Sequence, residues 1–112
     1  MGSEDTQQSA MSAALDQLWK QYLPTMEERV AVLEEAARIL EGRELTEQER
    51  VHANNAAHKL AGVLGTFGLT KGTVLARKVE ILYSGDPGTD PDDAEQLRGL
   101  SAQLRTMIAE RK

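Results

Sequence analysis

The chain has 112 residues, room for one domain, and its formal net charge is -5 with a pI near 5.0. That balance excludes an ordinary nucleic-acid surface, which needs clustered cations to neutralise phosphates. Cysteine is absent, so there is neither a disulfide framework nor a thiolate metal site, and no apolar run is long enough to span a bilayer. The expected setting is cytoplasmic, without membrane contact, since no secretory pattern opens the chain. Aromatic residues make up only 4 %, so a core must be built from aliphatic side chains and Ala, which favours helices.

Residues 1–9 are polar and are set apart as a disordered or cloning-derived arm, leaving 10–112 as the folded domain. A short leading helix opens at Ser9 or Ser12, carries Leu15, Leu18, Trp19 and Tyr22 at three- and four-residue spacing, and closes at Pro24. Thr25 with Glu28 has the spacing of a capping box, and Val30, Leu33, Ala37 and Leu40 mark one face as far as Gly42. A second box, Thr46 with Glu49, begins the longest predicted helix, which runs through Val51, Ala56, Leu60, Val63, Leu64 and Phe67 to Gly68.

After a break from Gly68 to Gly72, Val74, Leu75, Lys78, Val79 and Leu82 give a fourth pattern that ends in the turn-forming run Ser84-Gly85-Asp86-Pro87-Gly88. Asp90 is placed to cap the last helix with Pro91 at its first position, and Leu97, Leu100, Leu104 and Met107 or Ile108 continue its stripe. Amphipathic segments joined this closely predict an all-α fold, an antiparallel up-down-up-down four-helix bundle with a short additional N-terminal helix.

The chemistry concentrates around His58. At about 100° per residue, Val51, Asn54, Asn55, Ala61, Gly62 and Gly65 share its face, which is small or polar almost throughout. Ala56, Leu60, Val63, Leu64 and Phe67 lie opposite and supply the core, so His58 is expected to point outward. Each glycine inside a helix costs about 1 kcal/mol relative to Ala, which calls for a reason other than helix stability. Gly62 provides one. Side chains lean toward the helix N-terminus, so a missing side chain four residues later leaves the imidazole open to a bulky partner.

His58, Leu60, Gly62 and Gly68, followed by Glu80 in the next helix, resemble the signature of the histidine-containing phosphotransfer (HPt) domain family. The resemblance implies a phosphocarrier with no kinase core of its own, in which phospho-His58, attacking through Nε2, relays a phosphoryl group to or from the aspartate of a response-regulator receiver domain. It implies as partners receiver domains and a histidine or hybrid kinase, a monomeric carrier, and no cofactor or metal of its own, the metal ion belonging to the receiver. The family's basic residue three positions after the histidine is Ala61 here, which leaves phosphate support open among Lys59, next to His58, and Arg77, Lys71 and Lys78 of the following segment, with Lys59 and Arg77 foremost, and Asn54, Asn55, Ala61, Gly62 and Gly65 are the expected docking face. An imidazole, whose ordinary pKa is about 6.5, is a ready nucleophile at cell pH without a dedicated base.

Plainer readings stand beside this one. A lone surface histidine is usually only tolerated, and lysines and arginines are usually solvated. His52 lies about 240° around the helix from His58, so the two do not form a metal pair, and His52 is read as surface. A phosphate-independent receiver-binding module and a structural helical bundle are the alternatives to the carrier.

Overall fold

The computed structural model describes residues 3–85 and 90–111, with side chains from Ala10 onward. Four α-helices form the bundle: α1 (Ser3–Gly42), α2 (Glu47–Thr66), α3 (Thr70–Tyr83) and α4 (Ala94–Glu110), the last preceded by a single 3-10 turn at Pro91–Asp93. Around the bundle, α1 packs on α2 and α4, and α3 packs on the same two. The up-down-up-down order follows from the short connections, as the sequence pattern implies. At about 1.5 Å per residue the 40-residue α1 is about 60 Å long, which accounts for the 59 Å long axis over 20 Å cross-sections.

The additional N-terminal helical segment is present, but it is fused to its successor. Pro24 lies inside α1, and the Thr25–Glu28 capping box is not formed. An internal proline removes one backbone hydrogen bond and costs about 3 kcal/mol, but Pro24 is solvent-exposed, so the carbonyl it deprives faces water. Contacts on both sides of it hold the helix on course. Trp19 is buried against the edge of Phe67, with ring centroids 5.2 Å apart, and the Arg111 guanidinium lies 4.7 Å over the Trp19 ring while reaching Asp16 at 3.3 Å. Beyond the proline, Met26, Val30 and Leu33 enter the core. Leu15, Leu18 and Tyr22, expected in an apolar stripe with Trp19, remain exposed, although the Tyr22 ring still meets Phe67 edge-on with centroids 6.2 Å apart. The α1 backbone also runs through residues 3–9, within the stretch set apart from the fold.

The other boundaries follow local chemistry. Thr46 Oγ1 accepts from the Glu49 amide at 3.1 Å, and Glu49 Oε1 accepts from the Thr46 amide at 2.9 Å, so the second capping box closes on both sides. The same carboxylate receives Arg43 at 2.8 Å and 2.9 Å. The Arg43 hydrogen bond, helped by the Thr46 amide, lowers the Glu49 pKa from 4.5 to about 2. Gly68, with φ 74°, turns the chain out of α2 while the Leu69 amide returns to the Leu64 carbonyl at 2.9 Å. Helix α3 begins at Thr70, earlier than the expected break allows, and takes in Gly72, which is buried. A Cβ there would meet Met107 Sδ at 2.9 Å and Leu64 Cδ1 at 3.0 Å, so the glycine serves close packing of α2, α3 and α4. The Asp90 side chain accepts from the Asp92 amide at 2.9 Å, capping the turn that leads into α4. Asp86, Pro87 and Gly88 of the expected turn lie outside the described residues.

The core is aliphatic, with Leu33, Leu40, Leu60, Leu64, Val79, Leu97 and Leu104 fully buried. Tyr83 is its one fully buried large polar side chain among the described residues, and its hydroxyl has no hydrogen-bond partner. Burial pushes that phenol well above its ordinary pKa. Arg50 donates to the Tyr83 carbonyl at 2.7 Å, joining the start of α2 to the end of α3 and satisfying a carbonyl that the helix end leaves open.

Candidate functional site

Helix α2 carries the site because it has two environments along its length. Leu60 and Leu64 enter the core, whereas His58 on the other side is exposed over 69 % of its side chain. The ring is not free to turn. His58 Nδ1 lies 2.8 Å from Glu80 Oε2, and Glu80, on α3, is itself only 24 % exposed. An ionised carboxylate can only accept, so this contact requires a proton on Nδ1 and leaves Nε2, on the far edge of a neutral ring, as the atom with a lone pair. Asn54, one turn before His58, donates to the Glu80 backbone carbonyl at 2.8 Å and thereby fixes the residue that holds the ring.

The glycines near the ring differ. Nothing stands within 4 Å of a Cβ built at Gly62, so the flank of His58 is open there. At Gly65 a Cβ would rest 3.4 Å from Thr73 Oγ1, an ordinary contact, and the Thr73 hydroxyl donates to the Ala61 carbonyl at 3.1 Å. Thr73 thus closes the seam between α2 and α3, a role with no signal in the sequence.

Of the expected docking face, Asn55, Gly62 and Gly65 are exposed and Asn54 is half-buried. Ala61 is a correction: it is 2 % exposed and belongs to the core. The reason is angular. Relative to His58, Asn54 and Ala61 lie about 40° and 60° to one side, where α3 covers them, whereas Gly62 and Asn55 lie about 40° and 60° to the other. Lys59 and Arg77 are both exposed, and Arg77 borders a shallow hollow of about 370 Å³ with Asn54, Glu80, Ile81 and Ser84. Val51, Val74 and Ile81 are exposed large apolar residues on α2 and α3, although Val74 reads as part of a buried stripe in the sequence. Among the described residues no group of three or more His, Cys, Asp or Glu side chains is arranged to hold a metal ion, and no helix is long and apolar enough to cross a membrane.

Comparison with known families matches residues 17–111 to the Hpt domain model. The chain belongs to the Hpt domain family. As a member of it, the protein is a phosphorelay domain of two-component signalling, a family whose members generally interact with receiver and kinase domains. Protein RcaC of Microchaete diplosiphon is 35 % identical over 104 residues, which is 93 % of this chain and 16 % of that relative. The chain therefore spans about one sixth of the length of the curated relative it matches. No solved structure matches it.

Proposed function

We propose that His58 is the phosphoacceptor and that residues 10–112 act as a relay unit, a cytoplasmic monomer, between a histidine or hybrid kinase and the aspartate of receiver domains. The observation that carries the reading is the combination of an exposed ring, its Nδ1 held by Glu80 at 2.8 Å, and open space at Gly62. In the step from a receiver, Nε2 attacks the phosphorus of the phospho-aspartate, the N–P bond forms as the P–O bond to the aspartyl oxygen breaks, and the carboxylate leaves with the bonding pair. The Nδ1 proton stays on the ring throughout, directed at Glu80, which balances the positive charge that develops as Nε2 gives up its lone pair. Positioning and charge compensation are most of what phosphoryl transfer requires of a protein.

Because Ala61 carries no charge, the cation that the family places there must come from elsewhere, and the exposed Lys59, beside Asn55, and Arg77, beside Asn54 and Glu80, flank the face. Asn55, Gly62 and Gly65 form the open docking ground, with Asn54 holding Glu80 beneath it.

The test is chemical. Incubation with phosphoramidate should give one acid-labile, base-stable phosphate on the chain, and His58→Gln should abolish it with melting temperature almost unchanged, since exposed positions shift stability by no more than about 0.5 kcal/mol. Undiminished labelling of that variant would rule His58 out. Glu80→Ala should lower the labelling rate and change the ring's tautomer pattern in nitrogen-15 NMR spectra. A ring with the same tautomer and rate in that variant would refute the holding role.

A further inference from the structure

We propose that a cleft between α1 and α2, whose cations are Arg29 and Lys59, receives carboxylate side chains of the receiver domain that docks at His58 and so sets its orientation; the inference rests on the relay reading above. The cleft is about 320 Å³, with His52, Asn55 and Val32 also among its lining residues. Its α2 members lie on the side of the helix that α3 leaves uncovered: Asn55, Lys59 and His52 are about 60°, 100° and 120° from His58 in one direction. A protein seated on the ring and on Gly62 therefore extends over this cleft, since Gly62 opens to the same side.

Charge points to the occupant. Among the described residues, Arg38, Arg43, Arg50, Arg98, Arg105 and Arg111 are each paired with a carboxylate. Arg29 and Arg77 have no such partner, and they border hollows on opposite flanks of the His58 region, from α1 and from α3. Lys59 is unpaired as well, as are Lys20, Lys71 and Lys78, but of these lysines it is the one that lines the cleft with Arg29. Within the cleft Glu28 is the only carboxylate, set against Arg29 and Lys59. In a chain of net charge -5, an acidic partner is repelled by most of the surface, so Arg29 and Lys59, two uncompensated cations in one cleft, favour approach there.

The experiment uses the whole chain and receiver domains encoded in the same genome, phosphorylated with acetyl phosphate. For each variant the readout is the rate of transfer from the receiver to His58 divided by the rate of labelling by phosphoramidate, so a change confined to the ring cancels. Arg29→Glu should lower this ratio about tenfold at low ionic strength, with Arg29→Lys largely restoring it, and the difference should shrink as salt approaches about 0.5 M, where screening is nearly complete. A ratio equal to the parent's at every salt concentration would overturn the assignment. So would a loss of Arg29→Glu binding to phosphatidylglycerol vesicles with no change in the ratio, because the cleft would then serve an anionic surface and not the receiver. If phosphoramidate labels His58 but no receiver exchanges with it, the relay reading itself fails, and this inference with it.

Discussion

Gly62 and Gly72 occupy helices that touch, yet alanine should act on them with opposite signs. In an exposed helix the change from Gly to Ala gains up to about 1 kcal/mol, because alanine loses less backbone freedom on folding. At Gly62 nothing stands within 4 Å of the new methyl, so that gain should appear whole. At Gly72 the methyl would sit 2.9 Å from Met107 Sδ, closer than real Cβ contacts come, and 3.0 Å from Leu64 Cδ1, a tight contact from which the neighbour must give by a few tenths of an ångström. Leu64 is fully buried and can yield only by disturbing the core, whereas Met107 is half-buried and flexible. Overpacking of this kind costs about 1–3 kcal/mol, which after the helix gain leaves Gly72→Ala less stable than the parent by about 1 kcal/mol. The two variants should therefore differ by about 2 kcal/mol, or about 8 °C in melting temperature for a domain of this size. Urea melts and calorimetry under identical conditions measure the gap. Equal stabilities would mean that the α2–α3–α4 contact is looser than the geometry implies. A destabilised Gly62→Ala would mean that Gly62 packs against something and does not stand open. Gly62→Leu extends the comparison to function: it should leave melting close to the parent's while slowing transfer from a receiver, because its side chain fills the flank of the ring.

Tyr83→Phe should be neutral or stabilising by about 1 kcal/mol, since the hydroxyl it removes is buried without a partner; a clear loss of stability in urea melts would reveal a hydrogen bond to that oxygen. Glu49 has a folded pKa lowered from 4.5 to about 2, so its contribution to stability is present above 4.5 and is lost as pH falls through about 2. Glu49→Gln should accordingly flatten the decline of melting temperature over that interval, and an unchanged acid profile would count against the Arg43 and Thr46 contacts.

Local signals carried much of the fold. The Thr46–Glu49 box, the Gly68 exit and the Asp90–Pro91 start are each satisfied by a few neighbouring residues, so their spacing suffices to locate them. Pro24 does not end the helix, because its outcome depends on residues far along the chain: Phe67 and Arg111 hold Trp19, and only the folded bundle brings them there. Gly72 has the same character, its reason being Met107 on another helix. At the site, helical spacing identifies the sector that contains His58 but not which half of it a neighbouring helix covers. Spacing alone therefore places Ala61 with Gly62, although α3 buries it. The hydrogen bonds of Glu80 to His58 and Asn54 likewise depend on how α2 and α3 are rotated against each other.

That rotation is where fold and chemistry meet. Gly72 lets α3 lie close to α2, Thr73 fastens the seam by its bond to the Ala61 carbonyl, and Glu80 comes about two turns further along the same helix. With Ala61 and Asn54 covered by α3, the carboxylate reaches His58 from the side, at Nδ1, and leaves the outer edge of the ring uncovered. A larger residue at position 61 or 72 would push α3 outward and lengthen the His58–Glu80 contact before it unfolded anything. Small residues in this bundle therefore act in two distinct ways: inside the seam they set the distance between the ring and its carboxylate, and at Gly62 they leave room for whatever approaches the other side.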